Sequence, residues 1–180
     1  GTGTARGVRP RAGARTESER GVRAEVVRAL GRTGTPAIGV LISGLGSSDV
    51  LVRRGSSDAL AIIGAPAISP LAKVLLEADD RLVRVQAVET LGRARDGRAA
   101  ASLMVALMEP DTEVQAAAAQ ALVRIGGPAI PTLVRMLKVA REPLRRRAAE
   151  VLIRMRGLAV KPLIETLGDS SAEVQAVAVD

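Results

Sequence analysis

The sequence predicts an all-α fold, a tandem array of about five helical hairpins followed by a half unit, and three periodic features predict it. The pairs Ala29-Leu30, Ala59-Leu60, Thr90-Leu91, Ala121-Leu122 and Val151-Leu152 recur every 30 or 31 residues. Around each leucine an apolar pattern keeps phase: Val22, Val52, Val83, Val114 or Leu144 stands eight positions before it. Eleven positions after it stands Leu41, Leu71, Leu133 or Leu163, with Leu103 displaced by one. Turn residues share the period, as Gly34-Thr35-Pro36, Gly64-Ala65-Pro66 and Gly126-Gly127-Pro128. Self-similarity at this spacing is the mark of stacked repeats, each touching only its neighbours.

Residues 1–15 precede the pattern. Arg6, Arg9, Arg11 and Arg15 stand there among Gly and Ala, which predicts a basic flexible arm. The repeat units then span about 16–46, 47–77, 78–109, 110–140 and 141–169, with a half unit over 170–180. The unit from Asp111 to Lys138 shows the logic of all. Asp111 caps a helix whose apolar residues Val114, Ala118, Ala121, Leu122 and Ile125 follow a spacing of three and four and form one stripe. Gly126-Gly127 ends that helix. Pro128 suits the first turn of the next, where its missing N–H costs nothing, and Ile130, Leu133, Val134 and Leu137 make its buried face. Asp49 and Asp80 repeat the capping role of Asp111.

Some copies depart from this plan. Gly55, Ser56 and Ser57 lie inside a first helix, where glycine costs roughly 1 kcal/mol against alanine, so this helix is expected to be the softest. The third copy replaces Gly-x-Pro by Arg95-Asp96-Gly97-Arg98 with one residue inserted. Arg141-Glu142-Pro143 stands where an aspartate cap is expected, and Arg156-Gly157-Leu158 lacks the proline. A sixth copy begins at Val174, and its leucine would fall beyond Asp180, so the array is expected to continue in a longer parent. Val174 and Val177 then lack a partner helix, an open end that predicts self-association.

The pattern Asp-x-x-Val-Arg, then Ala-Leu, then Ile-Gly-x-Pro-Ala-Ile-x-x-Leu, best kept in Asp49–Leu71 and Asp111–Leu133, resembles short HEAT repeats of the phycobilisome-lyase-like kind. The resemblance covers residues 18–180. It implies a right-handed α-solenoid with one helix layer outside and the other lining a concave face that holds a partner. It also permits a role as a subunit of a bilin-lyase-like complex. Among similar repeat proteins is an iron hydroxylase with His-Glu metal pairs, and that activity does not carry over, because the chain has no histidine.

Composition narrows the chemistry. With no cysteine and no histidine, the chain lacks thiol nucleophiles, thiolate metal sites and the usual general base. No Phe, Tyr or Trp is present, so recognition must use aliphatic and charged groups. Ser47-Ser48-Asp49 and Ser56-Ser57-Asp58 place hydroxyls beside carboxylates with no base to activate them. Asp79-Asp80, and Glu109 with Asp111, fall at helix ends where carboxylates cap. Met104, Met108, Met136 and Met155 read as packing residues. No cofactor, metal or catalytic residue is therefore expected. With no membrane span and no export signal in the sequence, a cytoplasmic location is expected.

The net charge is +7, carried by 23 arginines and three lysines. That ratio suits a GC-rich coding sequence as well as phosphate binding. The charge is local: residues 1–32 sum to +5, 33–123 to −2, 124–161 to +8 and 162–180 to −4. Arg141, Arg145, Arg146, Arg147, Arg154 and Arg156 form a candidate basic patch on the outer layer. A separate column, Arg23, Arg53, Arg84 and Arg145, continued by Gln115 and Gln175, is expected to satisfy turn carbonyls more than to bind a ligand. On the second helices, Lys73, Val105, Arg135 and Glu165 each fall two beyond a core leucine and, with Lys138 and Lys161, are the candidate partner contacts. The expected function is a non-catalytic scaffold holding another protein. Sequence-independent electrostatic binding of nucleic acid through the arginine patches is the alternative.

Overall fold

The computed structural model describes residues 25–26 and 29–158, all of whose regular structure is helical. Residues 29–33 are helical, and a 3-10 turn over Thr35–Ala37 leads into α1, Ile38–Leu45. There follow α2 (Val50–Ile63), α3 (Ala65–Glu77), α4 (Arg81–Ala94), α5 (Ala100–Ala106), α6 (Thr112–Ile125), α7 (Ile130–Val139) and α8 (Leu144–Met155). The expected arm at 1–15, the second helix after α8 and the half unit at 170–180 lie outside the described residues.

The helices form two layers. The first helices of successive hairpins stack in the order α2, α4, α6, α8, and the second helices in the order α1, α3, α5, α7. This is an α-solenoid. Between the layers runs a continuous aliphatic core in which Leu60, Leu91, Leu122 and Leu152 of the first layer meet Leu45, Leu71, Leu75, Leu103, Leu133 and Leu137 of the second, all fully buried. With no aromatic bulk to fill space, the first helices approach closely through Ala59, Ala87, Ala118, Ala121 and Ala148, also buried.

Capping explains where the helices start. The carboxylates of Asp49, Asp80 and Asp111 accept from the backbone N–H groups of Leu51, Leu82 and Glu113 at 2.8, 2.8 and 2.9 Å. α8 begins after a cis Glu142–Pro143 bond with no side-chain cap. Pro128 sits in a 3-10 turn, Gly127–Ala129, that precedes α7 and is not part of it.

The hairpin turns come in two designs. Gly64 (φ 67, ψ −123) and Gly126 (φ 71, ψ −136) occupy a conformation open almost only to glycine, and the chain reverses in one residue. In the third copy Arg95 adopts the left-handed conformation (φ 51, ψ 32) and Asp96 then extends (φ −101, ψ 122). Two ordinary residues replace one glycine, which accounts for the inserted residue. Arg156 (φ 47, ψ −129) holds the glycine conformation without being glycine.

The Gly-Ser stretch in α2 is a packing device. Ser56 and Ser57 are buried, and a Cβ on Gly44 of α1 would stand 2.1 Å from Ser56 Oγ, so small residues on both sides let α1 and α2 meet. Thr90 of α4 hydrogen-bonds Ser57 across the layer at 2.8 Å. Its own hydroxyl proton goes to the Gln86 carbonyl, 2.6 Å away, which leaves the Ser57 hydroxyl to complete the pair.

Candidate interaction surfaces

The arginine column resolves into backbone staples. Arg53 Nη1 donates to the carbonyls of Ser47 and Ser48 at 2.6 and 3.0 Å, and Arg84 Nη1 to those of Ala78 and Asp79 at 2.8 and 3.0 Å. Gln115 Nε2 reaches Glu109 O in the same way, and Arg145 Nε donates to Ala140 O at 3.1 Å. Each side chain lies in the first turn of its helix and points back to the end of the preceding one. There the charge of each arginine, though not the neutral Gln115 amide, also meets the negative pole of that helix. These four members of the column are committed to the fold, while Arg23 and Gln175 lie outside the described residues.

On the second layer, Ser43, Lys73, Val105 and Arg135 occupy one register position of α1, α3, α5 and α7, two residues beyond a core leucine. Lys73 and Arg135 are exposed, and Val105 is 50% exposed. Lys73 lies 3.7 Å from Glu77 in a solvated i,i+4 pair. One turn further on, the equivalent positions are Leu76, Met108 and Lys138. Leu76 is 47% exposed and Met108 40%. Sequence reasoning missed both. The pair Met104 and Met108 does not act as one stripe: Met104 is buried, while Met108 is exposed, three residues beyond the exposed Val105. Lys161 and Glu165 lie outside the described residues.

The basic patch belongs to the start and end of α8. Arg146 Nε lies 3.5 Å from Glu142 and Arg147 Nη1 3.1 Å from Glu150, while Arg145 is the staple described above. Arg141, Arg154 and Arg156 are exposed. Arg154 lines an open groove of about 320 Å³ between α6 and α8. At the opposite end of the charge scale, the Arg98 side chain hydrogen-bonds Asp96, with Nη2 2.6 Å from the carboxylate, and holds that carboxyl below its ordinary pKa. Among the described residues no three carboxylates gather as a metal would need, and no helix is long and apolar enough to cross a membrane.

Two layers of antiparallel helices, repeated at a fixed period and joined by capped turns, define an α-solenoid repeat protein. The model of the HEAT repeats family matches residues 11–84 and 68–154, and the chain belongs to that family. A comparison with curated proteins finds no match. Solved structures that resemble it include an engineered protein, 24% identical, with a TM-score of 0.38 over 89% of this chain and 88% of that one. The complex of CpcE and CpcF of phycocyanin lyase from Nostoc sp. PCC7120 is 24% identical, with a TM-score of 0.43 over 78% of this chain and 62% of that one. A designed armadillo repeat protein is 20% identical, with a TM-score of 0.37 over 87% and 90%.

Proposed function

We propose that the chain is a non-catalytic protein-binding module whose second-helix layer holds a partner protein. The observation that carries this reading is the row of solvent-facing Leu76, Val105 and Met108 set among Lys73, Arg135 and Lys138. Apolar side chains stepped along successive repeats, rimmed by cations, make a surface that gains by being covered. Support for phosphate contact through the α8 arginines is weaker. Arg146 and Arg147 each have a carboxylate and Arg145 a carbonyl, so no continuous track of cations runs along the helix.

The test is retention of proteins from source-cell lysate by the immobilised chain, by Val105→Asp and by Met108→Asp, with and without nuclease. A discrete protein that survives nuclease and is lost from both variants is the expected result. Identical retention by all three, or nucleic acid held only at low salt, overturns it. Both substituted positions are exposed, so circular dichroism should be unchanged.

A further inference from the structure

Asp58 of α2 and Arg93 of α4, 35 residues apart, form an ion pair across the first-helix layer. By repeat position, Glu89 and Arg124 correspond to them one unit on, although there Glu89 accepts from Gln86 and makes no ion pair with Arg124, and two units on the corresponding residues are Gln120 of α6 and Arg154 of α8. The last step has lost its acid: an amide stands where the carboxylate was. Gln120 and Arg154 do face a common opening, since both line the 320 Å³ groove and an adjoining space of about 480 Å³ that also takes in Arg124. Within the groove, Glu150 is taken by Arg147 at 3.1 Å and the Gln115 amide by Glu109 O. Among the described residues neither Arg124 nor Arg154 has an ion pair, and both are exposed.

We propose that the groove between α6 and α8 is a docking site for an acidic segment of a partner protein, one of whose carboxylates takes the place opposite Arg154 that Asp58 holds opposite Arg93. Around the opening two guanidiniums without an ion pair stand beside a neutral amide, and a carboxylate fits a guanidinium through two parallel hydrogen bonds. Glu89, Glu113 and Glu150 are interleaved with the cations on the same layer, an arrangement that repels a run of phosphates. No aromatic residue is present to stack a base. The site lies on the layer opposite Val105 and Met108 and does not rest on the reading proposed for them.

Three single substitutions that each change the net charge by the same amount test it: Arg154→Gln, Gln120→Glu and Arg54→Gln, the last an exposed arginine on α2. Fluorescence anisotropy with labelled hexaglutamate measures binding, beside an oligodeoxythymidylate of matched charge. Arg154→Gln, and Gln120→Glu by restoring the internal acid, are expected to weaken peptide binding about five-fold, the loss of one charge-assisted contact, with Arg54→Gln unchanged. Equal weakening by all three, no binding of hexaglutamate by the unsubstituted chain, or tighter binding of the oligonucleotide with the same dependence on Arg154 overturns the proposal.

Discussion

Gly92 of α4 lies so close to α6 that a Cβ on it would stand 2.9 Å from the Cβ of Ala121 and 2.8 Å from its Cα. In an open helix, replacing glycine by alanine gains roughly 1 kcal/mol. Here the obstacle is backbone, which cannot swing aside. Gly92→Ala is expected to lower stability by about 1–3 kcal/mol, the usual range for overpacking. Urea denaturation checks the sign, and a stabilised variant would mean that the first helices stack less closely than described.

Arg84 makes two bonds to backbone carbonyls, and its removal leaves the end of α3 short of donors. Arg84→Met is expected to cost about 1.5 kcal/mol, the lower end for hydrogen bonds with a charged partner. Arg53→Met should show a similar loss. A column that served only to bind a ligand would leave the melting temperature where it was.

Arg156 holds a backbone conformation that side chains avoid, at a cost on the order of 1 kcal/mol. Arg156→Gly is therefore expected to stabilise the fold by about that amount, in spite of glycine's greater chain entropy when unfolded. Thermal melting of the two chains side by side decides it.

Asp96 has a lowered pKa, chiefly because Arg98 hydrogen-bonds its carboxylate. A carboxyl depressed in the folded state adds stability above its unfolded pKa of about 3.9, and that stability is lost as pH falls through the folded value. The stability difference between the unsubstituted chain and Asp96→Asn should thus be constant near neutrality and close below about pH 4. Melting curves from neutral to acid pH test this. Arg98 is exposed and Asp96 only half-buried, so solvent screens the pair and the amplitude should be small.

Much of the fold was legible because its signals are local. Helix stripes, the caps at Asp49, Asp80 and Asp111, and the backbone role expected for Arg53 and Arg84 all depend on residues close together in the chain. Relations between units were not legible. The match of Asp58 to Arg93, and so the missing acid at Gln120, follows from how far each helix is rotated against the next, which no single helix records. Gly55-Ser56-Ser57 read as a weak helix because the helix that these residues admit, at Gly44, belongs to another part of the chain. Leu76 and Met108 escaped notice because their apolar character read as packing, although each stands one turn beyond an outward residue, Lys73 or Val105.

The staples have a bearing on how such a chain can change length. Arg53, Arg84 and Arg145 each close the joint immediately before their own helix, with backbone bonds that span five or six residues. A copy inserted or excised between two joints would bring its own fastening with it and leave its neighbours' intact. Growth and shrinkage by whole repeats therefore need no simultaneous repair at a distance, whereas a cut inside a repeat would orphan the carbonyls at one end.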